Sequence, residues 1–117
     1  MAVVATVGLG RVAQRIIDDT PWVAVGTSTT AESIAQTQLV AETARKAATK
    51  VIRDGALFQI RAFFPNADLP ATMEEAGWFL NGTATANSGS LLVRSLVHFV
   101  KGTQDLLLIL DGEIEES

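Results

Sequence analysis

The residues of this chain whose types could do chemistry fall into three sets. The first is Gly8-Leu-Gly10-Arg-Val-Ala13, which has the G-x-G-x-x-A spacing of nucleotide-binding βαβ folds. There, glycines let a pyrophosphate approach the backbone at a helix N-terminus. Glu32 lies about 20 residues further on, where a ribose-binding carboxylate belongs. The second set is the pair Glu74-Glu75. Adjacent residues of a strand face opposite sides, so these two form an acid–base couple only if a bulge rotates one of them; otherwise one is an inward structural carboxylate and the other is solvated. The third is His98, the sole histidine. It cannot build a multi-histidine metal site, and within an apolar run it reads as a packed or hydrogen-bonded core residue. With no cysteine there is no disulfide or thiolate chemistry. The serines include no Gly-x-Ser-x-Gly elbow, and Asp105, Asp111 and Glu113 lack calcium-loop spacing.

Other charged residues read as structural. Any of Glu42, Arg45, Glu75, Arg94 and Lys101 that points inward must be paired. They are candidates for an ion-pair set, within one chain or across subunits. Trp22, Phe63, Trp78 and Phe79 are candidate core or interface anchors, because large aromatic side chains carry much of the apolar area of such contacts.

A chain of 117 residues fits one domain. Hydrophobic residues are 48% of it and aromatic ones 6%, so Val, Leu, Ile and Ala must build most of the core. Charged residues, at 19%, fall below the roughly 25% of average domains, and mean hydropathy is +0.28. That surplus of apolar surface favours subunit contacts. A net charge of −4 and a pI near 4.8 argue against binding a phosphate backbone. No apolar run reaches membrane-spanning length, and the apolar N-terminus lacks the basic stretch of a signal peptide.

The elements that must position these residues follow from periodicity. Leu9, Val12, Ala13, Ile16 and Ile17 form one face of a helix over Gly8–Asp19, stopped before Pro21. Residues 2–7 read as a short strand or the entry to that helix. Trp22–Val25 is a strand and Gly26–Ser33 a loop. Residues 34–47 read as helix, or residues 27–46 as an extended arm. Thr49–Arg53, the Asp54-Gly55 turn and the alternating Ala56–Phe64 make a hairpin. Thr72–Leu80 is a strand, with a bulge expected at Gly77. Ser90–Val100 and Asp105–Glu115 are the last strands, with Leu106–Leu110 expected to be buried on both faces. The expected fold is α+β: an N-terminal helix packed on a mainly antiparallel sheet of about five strands or a small β-sandwich. This arrangement weighs against the dinucleotide reading, which needs strands alternating with helices and a carboxylate at the end of the second strand.

The segments Gly8–Ile16, Trp22–Thr27, Leu39–Arg45, Glu75–Phe79 and Gly89–Arg94, followed by Lys101, occur in a set order and spacing. Together they resemble a family of short virion proteins and tail-collar or tail-fibre modules of tailed bacteriophages. In that family a Gly-Leu-rich helix precedes an aromatic/Ile-Ala-Val-Gly-Thr strand. Leu-x-x-Glu-x-x-Arg, Glu-Ala-Gly-aromatic/Leu-Phe and Gly-x-Leu-x-x-Arg segments follow. Trp78 stands where the family more often has Leu or Ile, and an acidic tail replaces an alternating Thr-rich strand. The resemblance implies a non-enzymatic structural component of the virion, acting as a tail, collar or fibre adaptor or a capsid cement. Such a component needs no cofactor or metal. It would self-associate as a homo-oligomer and dock on capsid, neck or tail proteins, not on nucleic acid or membrane. Trp22, Phe63, Trp78 and Phe79 would then give apolar contacts, while Glu42, Arg45, Glu75 and Arg94 fix register. A dinucleotide-binding fragment or a small-ligand-binding domain is the alternative.

Overall fold

Thirteen residues, Thr6–Asp18, form helix α1, which takes in the glycine pair and begins ahead of the expected Gly8. The structure is a computed structural model and describes residues 6–114; the expected strand or helix entry at Ala2–Ala5 lies outside them. Seven strands follow: β1 Trp22–Gly26, β2 Glu42–Ala47, β3 Lys50–Asp54, β4 Leu57–Phe64, β5 Thr72–Leu80, β6 Ser90–Val100 and β7 Leu106–Glu113. They form two wholly antiparallel sheets, ordered β2-β1-β5-β6 and β3-β4-β7. The fold is therefore α+β, with the N-terminal helix packed against a two-sheet arrangement. Of the arrangements expected, it is the two-sheet one, with seven strands among the described residues in place of about five.

Alternation decides which residues make the core. Phe58, Ile60, Ala62 and Phe64 of β4 point inward, as their spacing predicts. They meet Val23, Val25, Met73, Ala76 and Trp78 from the other sheet and Ala13 and Ile17 from α1. Each of the larger side chains among them, withdrawn from water, contributes roughly 1.5–3 kcal/mol. The helix face is narrower than expected: Ala13 and Ile17 are buried, but Val12 is exposed. Gly10, buried within α1, permits a close approach to the β3–β4 hairpin, since an added Cβ would lie 3.1 Å from Arg53 Nη1 and 3.3 Å from Gly55 O.

The hairpin forms where Asp54-Gly55 predicts it. Asp54 pairs with Leu57, so the loop residues are Gly55 and Ala56, and Gly55 takes the positive φ (61°) that a tight turn demands. Other expectations fail. Glu42–Ala47, expected within an arm or helix, is a strand paired with β1. The irregularities of the β5–β6 ladder are not at Gly77. The pairs Met73↔Phe99 and Glu75↔Leu96, then Trp78↔Val93 and Phe79↔Leu91, put the extra residues on β6. Strand β7 is not buried on both faces: it alternates, with Leu107 and Ile109 exposed. It is an edge strand with one neighbour, so its outward side chains meet solvent.

Candidate functional site

The outer face of the four-stranded sheet gathers most of the segments that stood out in the sequence. Register places Arg45, Ala24, Gly77 and Arg94 in one row across β2, β1, β5 and β6. The neighbouring row carries Glu42, Gly26, Glu75 and Leu96. Small residues at the centre of the first row leave a trough between the two arginines. Residues 27–41 fold back over it as an Ω-type strap, whose neck is closed by Thr27 N–H donating to Ala41 O at 3.1 Å. Leu39, 1% exposed, fills the trough with Ala24 and Phe79. A Cβ at Gly77 would lie 2.6 Å from Leu39 Cδ2, which is why this strand position is glycine.

Glu75 pins the strap. Its Oε1 accepts from Val40 N–H at 3.0 Å and Arg94 Nε at 2.9 Å; its Oε2 accepts from Ala41 N–H at 2.8 Å and Ser28 N–H at 3.2 Å. Glu75 is fully buried and Arg94 nearly so. Burial pushes the carboxyl pKa up, but the Arg94 guanidinium and the three strap amides favour the charged form and outweigh it. The pKa thus falls below its ordinary 4.5. A carboxylate with a lowered folded-state pKa stabilises the fold fully above pH 4.5. That contribution is lost as pH falls through 4.5 towards the folded-state value, because the unfolded chain then binds more protons. Between pH 7 and pH 3 the melting temperature of the native protein should fall more steeply than that of Glu75→Gln, with the gap between the two curves narrowing from about pH 4.5 downward. Parallel curves would show that Glu75 is not the titrating pin.

A second pair lies at the other end of the face. Arg45 grips Glu42 through two bonds of 2.8 Å and stacks over Phe79, 4.8 Å from the ring centroid. Its Nη1 donates to Thr83 O, Ser88 O and Ser88 Oγ, while Glu42 accepts from Asn87 N–H at 3.3 Å. This pair ties the β5–β6 loop to β2. Trp22 flanks the same loop, against Gly82.

The charged residues that the sequence grouped are therefore two intramolecular pairs, Glu42–Arg45 and Glu75–Arg94, and not one set. Lys101 joins neither; its Nζ donates to Leu69 O at 3.3 Å. Of the aromatic anchors, Trp78 lies in the inter-sheet core, Phe79 beneath the strap, Trp22 is half-buried and Phe63 is exposed. Glu74 and Glu75 do face apart. Glu74 meets Nδ1 of His98 at 3.0 Å, and His98 sits at the surface rather than in the core. Gly8 and Gly10 fall inside α1, so they do not form the strand–turn–helix bend on which a pyrophosphate would rest.

No protein-family model and no curated protein matches this chain.

Sequence reasoning missed Gln36, which accepts from Arg94 Nη1 at 3.4 Å and for which no local signal exists. It also missed the second role of Gly26, read only as the start of a loop. A Cβ there would collide with Ala41 O and lie 2.5 Å from Glu75 Oε2. A glycine ending a β-prone run is the signal that was available. Among the described residues, no group of three or more His, Asp or Glu side chains could hold a metal ion.

Proposed function

We propose that this protein is a non-enzymatic accessory structural component of a tailed-phage particle, acting by self-association and docking on other virion proteins. The observation that carries the docking part is the outer face of β3-β4-β7. Leu57, Phe63, Leu107, Ile109 and Ile52 are each 36–50% exposed there. Phe63 lies opposite Leu107 with Ile109 next on the same face of β7, whereas Ile52 lies opposite Gln59 and Leu57 opposite Glu113, so the apolar cluster centres on Phe63, Leu107 and Ile109. An exposed apolar cluster of this kind, on an edge strand with five consecutive apolar residues, is the surface that association covers. The motif series resembling phage collar and fibre modules supports the virion setting. In this reading the Glu75–Arg94 and Glu42–Arg45 pairs keep the scaffold rigid while the apolar face makes the contacts.

Light scattering of the purified chain across concentration tests the proposal. The native protein should show a dimer or higher oligomer. Leu107→Glu combined with Ile109→Glu should shift the mass to monomer while leaving the melting temperature within a few degrees, because surface substitutions away from special features change stability by about 0.5 kcal/mol or less. A native chain that stays monomeric at high concentration and binds no phage particle overturns the reading.

A further inference from the structure

The strands that end the two sheets differ in how they guard their free edges. Strand β2 carries Glu42, Arg45 and Lys46, β3 carries Lys50, Arg53 and Asp54, and β6 carries Arg94 and His98. Charged side chains on an edge discourage pairing with another chain. Strand β7 has none over Leu106–Leu110. Among the described residues it pairs with β4 on one side and with no strand on the other.

Ladder geometry determines what that free side offers. Along an antiparallel strand the backbone groups turn alternately to one neighbour and to the other. Ile114 N–H donates to Ala56 O at 2.9 Å, which continues the β4–β7 ladder one step past Leu57↔Glu113. Counting back by twos, Leu110, Leu108 and Leu106 direct N–H and C=O to β4, while Ile109 and Leu107 direct theirs to the free edge. The other side of β4 gives the same parity. Arg61 O accepts from Thr49 N–H at 2.8 Å, so Arg61 turns towards β3 and Ile109, opposite it, turns away from β4. Leu107 and Ile109 therefore present outward backbone groups as well as exposed apolar side chains.

The run is also complementary to itself. About a two-fold axis at Leu108, an antiparallel second copy sets its Ile109 opposite Leu107 and its Leu110 opposite Leu106. Leu107 and Ile109 then form a hydrogen-bonded pair, each donating to and accepting from the other, and the symmetry repeats it. A slip of two residues either way sets Asp111 against Leu107 or Asp105 against Ile109, and a slip of one turns the core face outward.

We propose that β7 pairs antiparallel with β7 of a second copy, Leu107 opposite Ile109, joining the two three-stranded sheets into one continuous sheet. This rests on the self-association proposed above and gives it a geometry. It also sets Asp105 of each copy opposite Asp111 of the other, and like charges so placed weaken the pairing.

The test is NMR of the full chain, mixed from isotope-labelled and unlabelled copies at a concentration where light scattering shows a dimer. The expected result is an isotope-filtered Overhauser contact between Leu106 Hα of one copy and Leu110 Hα of the other. The Leu107 and Ile109 amides should exchange at least roughly tenfold more slowly than in the diluted chain. Asp111→Asn keeps an acceptor for Gln59 and should tighten the dimer roughly threefold. Glu32→Gln, an equal change of net charge on the strap, should leave it unaltered. A dimer without the Leu106–Leu110 contact or without the slowed amides overturns the edge pairing and leaves self-association standing. Equal tightening by both charge variants, or none by Asp111→Asn, overturns the register. A chain monomeric at every concentration overturns the pairing and the self-association together.

Discussion

Glu75→Ala should lower stability by about 3–5 kcal/mol, the cost of stranding one member of a buried ion pair, and the melting temperature by roughly 10–20 °C. Two separate losses combine in that figure. Arg94 remains buried beside no countercharge, and the amides of Ser28, Val40 and Ala41 lose their shared acceptor. The double variant Glu75→Leu with Arg94→Met separates them. Replacing a buried pair with apolar residues of similar size is often neutral, so much of the melting temperature should return. The strap amides should nevertheless stay unprotected in hydrogen exchange, because nothing in the double variant accepts from them. Full protection of Val40 and Ala41 in the double variant would show that the carboxylate does not hold the strap.

Gly26→Ala should be the most damaging single-methyl change in the sheet, at about 3 kcal/mol, the upper part of the range for overpacking. The backbone at Gly26 has no positive φ, so conformation alone would tolerate alanine. The added carbon instead collides with the Ala41 carbonyl and presses on the Glu75 carboxylate, forcing the neck of the strap away from its pin. Gly55→Ala is the informative comparison. It has open space around it but a φ of 61°, so its loss of roughly 1–2 kcal/mol comes from backbone strain alone. Thermal denaturation of both variants, with hydrogen exchange at Ala41, distinguishes the causes. Equal protection of Ala41 in Gly26→Ala and the native chain would sink the steric account.

Local signals in the chain were legible and long-range ones were not. Asp54-Gly55 between β-prone runs and the Phe58–Phe64 alternation located the central hairpin, because turn chemistry and a two-residue period act between neighbours. The opposite facing of Glu74 and Glu75 followed from the same period. By contrast, Glu42-Thr-Ala-Arg-Lys-Ala47 is rich in helix-favouring residues, and only pairing with β1 makes it a strand; tertiary context overrides a small propensity. The irregularity assigned to Gly77 sits on the partner strand, since glycine there admits Leu39 rather than kinking its own chain. A small β-sandwich was among the expected folds, but which strands share a sheet was not readable, because pairings such as β1 with β5 and β4 with β7 join residues far apart in the chain.

The closed neck of the strap has a consequence for how this scaffold can vary. Thr27 and Ala41 meet in a hydrogen bond, and Glu75 fixes both sides of that junction. Register between β1 and β2 is therefore set at the neck and is indifferent to how much chain lies beyond it. Lengthening a flexible loop is cheap once its ends are fixed, about 0.6 kcal/mol per doubling. The tip around Ile34 is thus a graftable position, where sequence of new length and character can be installed without disturbing either sheet.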